Sequence, residues 1–206
     1  MVSNATTPPT AQELATAADL PVLAADGTSR PLGQLMDNVR GRAVVIFIRH
    51  FYCGLCQDYL SYLSTHISPS ALSSSNVKLS IVGCGDASLI QPYKDSLGLP
   101  AEFEVFADPT KKTYEALGMT LRTLEMGKET PYYQRAGVIG NALQSILSAF
   151  KLRKLTTSPG DLKQLGGEFV FGPGREPLYT HRMENTRGHA PLNELLQAAG
   201  LPLESA

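Results

Sequence analysis

Cysteine is scarce in this 206-residue sequence, which contains only Cys53, Cys56 and Cys84. So small and odd a number excludes a disulfide framework. A chain of this length can bury a sizeable apolar core without such cross-links. In a reducing compartment, two cysteines spaced as Cys-x-x-Cys are more typical of redox chemistry or metal binding than of structural support.

The sequence also lacks an excess of charge and any long apolar run. Its formal net charge is −1, which gives no electrostatic case for binding nucleic acid or an anionic membrane. No run of about 18 apolar residues occurs, so we expect no segment that spans a bilayer. The first residues do not have the basic and apolar regions of a secretory signal, and we therefore expect a cytoplasmic protein.

Strand and helix patterns alternate along the chain. Continuous apolar, β-branched runs at 43–48 and 77–82 predict strands buried on both faces, as in a parallel sheet covered by helices. A glycine and proline turn separates the strands 168–171 and 177–181, which predicts a hairpin. This order predicts the α/β class and a thioredoxin-like fold, with a mixed central sheet flanked by helices. The other predicted strands are 20–23, 28–31 and 103–106; the predicted helices are 13–18, 32–38, 89–97, 108–117, 138–152, 191–199, and one that starts at 56 and stops near 68–76.

A single domain is expected to account for most of the chain. Residues 1–12 are polar and contain prolines, so they predict a flexible tail, and residues 13–206 form one thioredoxin-like domain. Residues 121–163 do not fit the alternating order and are interpreted as a helical insertion. Such an insertion can shape a substrate pocket or a homodimer interface.

The strongest local signal is the segment Cys53-Gly54-Leu55-Cys56, at the junction of a buried strand and a helix. A helix N-terminus offers unpaired N–H groups and a partial positive charge, which both stabilise a reactive thiolate. The spacing also lets the second thiol attack a mixed disulfide made by the first. The alternative is two buried cysteines that lie close without reacting, and the strand context disfavours it.

Three basic residues are candidates for supporting this cysteine pair. Arg49 and His50 directly precede it, and on an alternating strand they would point to opposite faces. Either could lower the pKa of a neighbouring thiolate. Arg182, at the end of the last predicted strand, is the third candidate. Each of the three could instead be a solvated residue at a strand end.

Cys84 follows a strand that is predicted to neighbour the strand before Cys53. Because parallel strands end at the same edge of a sheet, Cys84 is a possible resolving thiol, although a small residue packed at a strand end is the simpler interpretation. His50, Cys53, Cys56 and Cys84 are also four potential zinc ligands. Structural zinc sites usually pair two Cys-x-x-Cys knuckles, and the sequence has one, so we predict no metal and no organic cofactor.

The segment 47–56, FIRHFYCGLC, resembles the active-site segment of the AhpC/TSA peroxiredoxin-like family, in its Cys-x-x-Cys-bearing branch. The segment 166–174, with His181 and Arg182 after it, resembles the C-terminal part of that branch. The resemblance extends over most of residues 20–200. It implies a thioredoxin fold and the reduction of hydroperoxides by a cysteine.

The resemblance leaves the order of the two cysteines open. Aligned without a gap to the family motif Pro-x-x-x-Thr-x-x-Cys, Cys56 takes the position that attacks peroxide, and Cys53 resolves. By analogy with thioredoxins, Cys53 attacks and Cys56 resolves. In either order, Arg49 or Arg182 would stabilise the thiolate and the departing oxygen. An external dithiol, such as a thioredoxin-like reductant, would then reduce the disulfide.

We therefore expect thiol-dependent reduction of a peroxide through a Cys53/Cys56 redox pair. A related branch with a similar Cys-x-x-Cys reduces endoperoxides, so a reductase of organic endoperoxides, or of protein disulfides, is an alternative. A second alternative is a non-enzymatic binding module of thioredoxin fold, with or without a stabilising zinc ion. The binding module predicts cysteines with nearly normal pKa values.

Overall fold

A mixed seven-stranded sheet organises the computed structural model, which describes residues 5–134, 158 and 160–202. The strands are β1 (Pro21–Leu23), β2 (Ser29–Pro31), β3 (Arg42–Phe47), β4 (Val77–Gly83), β5 (Phe103–Ala107), β6 (Gly167–Phe171) and β7 (Pro177–Arg182). Across the sheet they lie in the order β2-β1-β5-β4-β3-β6-β7. β3 and β5 are parallel to β4, which lies between them, and the other pairs are antiparallel.

Helices cover both faces of this sheet. They are α1 (Ala11–Asp19), α2 (Gly33–Met36), α3 (Gly54–His66), α4 (Pro69–Ser74), α5 (Ile90–Leu97), α6 (Lys112–Ala116) and α7 (Leu192–Ala199). α3, α5 and α7 contribute to the core on one face, whereas α1, α2 and α6 contribute to the core on the other. Among the described helices, none combines the length and the apolar character that a membrane crossing requires.

The central strand β3 belongs to both cores. Val44 and Ile46 pack on the α3 side, and Val45 and Phe47 pack on the opposite side, because successive side chains of a strand alternate between faces. All four are at most 1% exposed. Burial of one such side chain contributes about 1.5–3 kcal/mol, which explains why this run forms the middle of the sheet. The predicted strand buried on both faces is confirmed.

The predicted strands and most of the predicted helices are present, with ends that shift by a few residues. The helix that starts near Cys56 was expected to stop near 68–76, and α3 ends at His66, but the stretch itself contains a helix that was not predicted, α4. Ser68 caps this helix by accepting a hydrogen bond from the N–H of Ala71, and Pro69 occupies its first position. The helix predicted at 138–152 lies outside the described residues.

The N-terminal residues of the described part contact the end of β7. The carbonyl oxygen of Ala5 accepts from the N–H of Arg182, and that of Thr7 accepts from the Arg182 guanidinium. α1 begins at Ala11, where Thr10 and Glu13 form a capping box. The division into a tail at 1–12 and one domain stays a prediction.

We predict that replacing Gly166 disrupts the junction of β3 and β6. A Cβ atom at this position would overlap the carbonyl oxygen of Phe47, a backbone atom that cannot move aside. Gly166→Ala should lower the free energy of unfolding, measured in urea, by about 2 kcal/mol or more. Gly172→Ala is the matched control, because its Cβ would meet side-chain atoms and no backbone, with Leu178 at 3.3 Å and Glu176 at 3.6 Å. Equal stability of the two variants would contradict this prediction.

Candidate active site

The site forms where the chain leaves the sheet after β3 and enters α3. The hydroxyl of Tyr114 donates to the carbonyl oxygens of Ile48 and Val82, at 2.8 and 2.9 Å, and so ties the ends of β3 and β4 together. The chain then turns, and the N–H of Cys53 donates to the carbonyl of His50 at 3.0 Å. This turn directs the start of α3 toward the sheet edge.

Cys53 is the N-cap residue of α3, and its sulfur accepts hydrogen bonds from two nitrogen donors. These donors are the backbone N–H of Cys56 and Nη1 of Arg49, both at 3.4 Å. Burial alone would raise the pKa of the Cys53 thiol. The hydrogen bonds from Cys56 and the positive charge of Arg49 outweigh burial and hold this pKa well below its usual value. Of the two sulfurs, that of Cys53 therefore carries a negative charge more readily.

Cys56 lies in the first turn of α3 and has the opposite character. Its side chain is fully buried, and burial raises its pKa well above the usual value. The hydrogen bond to Cys53 and the negative charge there raise it further, because the Cys56 thiol donates to the neighbouring sulfur. The pair thus combines a lowered pKa at Cys53 with a raised pKa at Cys56.

Arg49 is buried, with 6% exposure, and its guanidinium is held on three sides. Nη2 donates to the carbonyl of Leu162 at 2.6 Å, Nε donates to that of Gln164 at 3.3 Å, and Nη1 donates to Cys53. β3 ends at Phe47, so Arg49 does not alternate with His50 on a strand, as the sequence had suggested. It is also not a solvated residue.

His50 is likewise buried, at 6% exposure, beside the cysteine pair. Burial, together with the charge of Arg49, lowers the pKa of His50 to about 4, against the opposing effects of Cys53 and Asp161. The imidazole is therefore neutral at physiological pH. Within the described part of the chain, its Nδ1 is buried and makes no hydrogen bond. His50 thus offers a neutral polar atom that has no hydrogen-bond partner among the described residues.

The other two predicted site residues lie with the core on the opposite face of the sheet. The thiol of Cys84 donates to the carbonyl of Arg49 at 2.8 Å, and burial raises the pKa of this thiol to about 12. Nε of Arg182 donates to the carbonyl of Leu117 at 2.6 Å, and its guanidinium lies over the Phe169 ring. The described contacts of Arg182 thus do not bring it to the cysteine pair.

The zinc hypothesis finds no support in the geometry. Among the described residues, which include all four predicted ligands, no group of three or more His, Cys, Asp or Glu side chains is arranged to hold a metal ion. The three cysteines are free thiols.

A buried carboxylate network on the α3 side of the sheet was not predicted. Glu168, fully buried on β6, accepts hydrogen bonds from Nδ1 of His181 at 2.8 Å and from Nδ1 of His189 at 2.6 Å. Burial opposes ionisation, but the two histidines lower the pKa of Glu168 to about 2. The His189 ring stacks on Tyr59 of α3, with centroids 4.3 Å apart. A sequence signal existed, because Glu168 is the single charged residue in an otherwise apolar strand.

A cleft of about 640 Å³ opens beside this network. Tyr132, Tyr133 and His189 line it with aromatic surface, and Lys128 and Arg187 add positive charge. Tyr133 is buried, and both burial and the charge of the nearby cysteine pair raise its pKa. Tyr133 therefore borders both the cleft and the cysteine pair.

Solved structures share this architecture. The peroxidoxin BcpB of Mycobacterium tuberculosis matches with a TM-score of 0.58 at 10% identity, over 95% of this chain and 96% of that one. A peroxiredoxin-like protein from Aquifex aeolicus matches with a TM-score of 0.56 at 9% identity, over 97% and 85% of the two chains. These similarities confirm the predicted thioredoxin-like α/β fold. Together, the fold and the cysteine site define a thiol oxidoreductase of the peroxiredoxin-like class.

Sequence relatives identify the family. Peroxiredoxin-like 2C of Homo sapiens is 34% identical over 196 residues, which cover 94% of this chain and 84% of that protein. The thioredoxin-like protein AAED1, chloroplastic, of Arabidopsis thaliana is 28% identical over 86% of this chain and 68% of its own length. The family model for AhpC/TSA antioxidant enzymes matches residues 63–185. The chain belongs to the AhpC/TSA peroxiredoxin-like family. Because the model match begins after Cys56, the roles of the two cysteines rest on the geometry.

The geometry predicts that Cys53 is alkylated at a lower pH than an ordinary cysteine. In the native protein, the rate of iodoacetamide labelling at Cys53, followed by peptide mass spectrometry, should reach half its maximum well below the value of about 8.5 for free cysteine. Arg49→Gln should move this midpoint upward by about one pH unit, because the sulfur loses a charged donor. An unshifted midpoint in the native protein would contradict the thiolate assignment.

Because the Glu168 carboxylate is buried, we predict that Glu168→Gln lowers the free energy of unfolding strongly. The pKa of Glu168 falls from 4.5 to about 2 on folding, so its contribution to stability is fully present above pH 4.5 and is lost as the pH falls through about 2. At neutral pH the variant should lose about 3 kcal/mol of unfolding free energy, measured in urea. Glu194→Gln is the control, because Glu194 bonds Tyr179 in an exposed position. Similar losses in the two variants would contradict this role.

Proposed function

We propose that the chain reduces peroxides with Cys53 as the attacking thiolate and Cys56 as the resolving thiol. The observation that carries this proposal is the pair of donors on the Cys53 sulfur, the N–H of Cys56 and the guanidinium of Arg49, each at 3.4 Å. A thiolate, not a thiol, is the nucleophile in such chemistry. The opposite pKa shifts of the two cysteines support Cys53 as the residue that attacks.

In the first step, the Cys53 thiolate attacks the terminal oxygen of a hydroperoxide. A sulfur–oxygen bond forms, the oxygen–oxygen bond breaks, and Cys53 becomes a sulfenic acid. The departing alkoxide takes a proton from solvent and leaves as an alcohol, or as water when the substrate is hydrogen peroxide. Arg49 stabilises the negative charge as it moves from sulfur to the departing oxygen.

In the second step, the protonated thiol of Cys56 condenses with the sulfenic acid. A Cys53–Cys56 disulfide forms and one water molecule is released. A dithiol of the thioredoxin type then reduces the disulfide by thiol exchange and is itself oxidised. Because this cycle needs a reducing partner, we assign it to a reducing compartment, the cytoplasm.

His50 is proposed to support the first step as a neutral polar group. Its Nδ1 is buried near Cys53 and makes no hydrogen bond within the described part of the chain. A buried polar atom without a partner is costly, and a bound peroxide oxygen would satisfy it. Because the pKa of His50 is lowered to about 4, this interaction does not depend on its protonation in the physiological range.

A second candidate substrate is an organic hydroperoxide or endoperoxide. The cleft of about 640 Å³ favours it, because its aromatic surface suits an apolar molecule, and Lys128 and Arg187, which outnumber the one lining carboxylate, Glu129, suit an anionic end. Tyr133 borders both this cleft and the cysteine pair. Hydrogen peroxide needs no such surface.

The remaining alternatives agree less well with the site. A binding module without redox activity predicts nearly normal cysteine pKa values, whereas those of Cys53 and Cys56 are shifted in opposite directions. Direct attack on a protein disulfide requires an exposed sulfur, and Cys53 is only 4% exposed. A small peroxide is the better fit to so closed a site.

Brief treatment with one equivalent of hydrogen peroxide tests the proposed cycle. The native chain should form a Cys53–Cys56 disulfide, whereas Cys56→Ser should stop at a sulfenic acid on Cys53, which dimedone traps for mass spectrometry. Cys53→Ser should remain reduced, because the two remaining thiols, Cys56 and Cys84, both have raised pKa values. Cys84→Ser is the control and should behave as the native chain.

Two results would separate the candidates. A sulfenic acid on Cys56 in the Cys53→Ser variant would reverse the order of attack. If hydrogen peroxide leaves every thiol reduced but an organic hydroperoxide with a carboxylate oxidises the pair, the cleft sets the substrate class. A chain that neither peroxide oxidises would contradict the proposed function.

A further inference from the structure

We infer that Asp161 is a positioning residue that holds Arg49 against Cys53. Asp161 lies in the segment 161–165, shortly before β6, and it does not touch the sulfur of Cys53. It acts through the backbone carbonyl groups of its own segment. This inference rests on the proposed function, because it concerns the group that stabilises the Cys53 thiolate.

The first observation is that two of the three contacts of Arg49 are to this segment. Nη2 donates to the carbonyl of Leu162 at 2.6 Å, and Nε donates to that of Gln164 at 3.3 Å. A guanidinium is a rigid planar fork, so two fixed donors set the direction of the third. That third donor is Nη1, which contacts the sulfur of Cys53. The placement of the two carbonyls therefore decides where this donor points.

The second observation is that Asp161 shapes the turn carrying these carbonyls. Its Oδ1 accepts from the N–H of Lys163 at 3.0 Å, and its own carbonyl accepts from the N–H of Gln164 at 3.1 Å. Both bonds close the backbone around Leu162. Without them, the carbonyl of Leu162 would lose the turn that directs it at Arg49, whereas Gln164 would keep its other bonds to the fold.

The third observation is that Asp161 anchors this turn to a rigid part of the fold. Its Oδ2 binds Nζ of Lys111 at 2.8 Å and also contacts the guanidinium of Arg122. Lys111 is itself fixed, because its N–H donates to Oδ1 of Asp108 at 2.9 Å in the loop that follows β5. The ion pair therefore links the segment 161–165 to the sheet edge.

A purely stabilising role explains these contacts less well. The side chains of Lys111 and Asp161 are 23% and 16% exposed, and partly solvated ion pairs contribute little to stability. If Asp161 acted on Cys53 directly through its charge, loss of the carboxylate would lower the pKa of Cys53, because removal of a nearby negative charge favours a thiolate. Positioning predicts instead that loss of the Asp161 carboxylate disfavours the thiolate.

The test is the pH dependence of Cys53 alkylation by iodoacetamide in Asp161→Asn, which keeps the acceptor for the N–H of Lys163 but loses the ion pairs that anchor the turn to Lys111 and Arg122. The midpoint should rise, and the labelling rate near neutral pH should fall about threefold to tenfold, since one pKa unit is a tenfold change in thiolate. Lys111→Met should shift the midpoint in the same direction by less. Asp95→Asn is the matched control, because it removes an equal charge from an exposed carboxylate on α5 that accepts a hydrogen bond from the side chain of Gln91.

A double variant separates positioning from other effects. In an Arg49→Gln background, Asp161→Asn should cause no further shift, because the group that Asp161 positions is gone. Urea unfolding checks that each variant is folded at the pH of labelling. An unchanged or lowered midpoint in Asp161→Asn, with an upward shift in Arg49→Gln, would overturn the role of Asp161 and leave the proposed function intact. An ordinary midpoint in the native protein would instead contradict the proposed function.

Discussion

The Cys53 sulfur is buried and must carry a negative charge in the proposed attack, and the rest of the site depends on this constraint. A charged group that is 4% exposed has lost most of its hydration, and the protein must replace it. The start of α3 supplies an N–H group, and Arg49 supplies a charged donor. Both are available because β3 ends at Phe47 and the next six residues turn back on themselves. The end of β3, the turn after it and the start of α3 therefore act together to stabilise this sulfur.

The polar groups on the two faces of the sheet have different roles. The face that carries α3 also holds Glu168, its two histidine partners and the stacked Tyr59, so polar groups are concentrated beside the cysteine pair. The opposite face uses its polar groups to hold the chain together. Arg182 donates to the backbone carbonyls of Thr7 and Leu117 there, and its guanidinium lies over the Phe169 ring. Cys84 donates to the backbone carbonyl of Arg49. One residue, Arg49, is connected to both faces.

The parts of the fold and site that depend on local pattern could be predicted from the sequence. The apolar run of β3 and the Cys-x-x-Cys segment after it identified the sheet, the helix start and the cysteine pair. The partners of Arg49 could not be predicted, because they are backbone carbonyls of Leu162 and Gln164, more than 100 residues away in sequence, and a carbonyl carries no sequence signal.

The faces of the sheet on which Cys84 and Arg182 lie also could not be predicted from sequence patterns. Both were correctly placed near strand ends, but the face that a side chain occupies depends on strand register and on where each strand stops. Glu168 was different, since a charge within a buried apolar strand signals a partner. The identity of that partner still required the cross-strand pairing of Glu168 with His181.

The position of Cys53 as the N-cap of α3 couples chemistry to secondary structure. The same sulfur that reacts is the acceptor that satisfies the N–H of Cys56. Oxidation removes its negative charge and weakens it as an acceptor, and loss of an N-cap typically costs a helix about 1 kcal/mol. The redox state of the pair and the order of the first turn of α3 are therefore thermodynamically linked. Any partner that stabilises this turn would favour the reduced enzyme, and any partner that loosens it would favour the oxidised one.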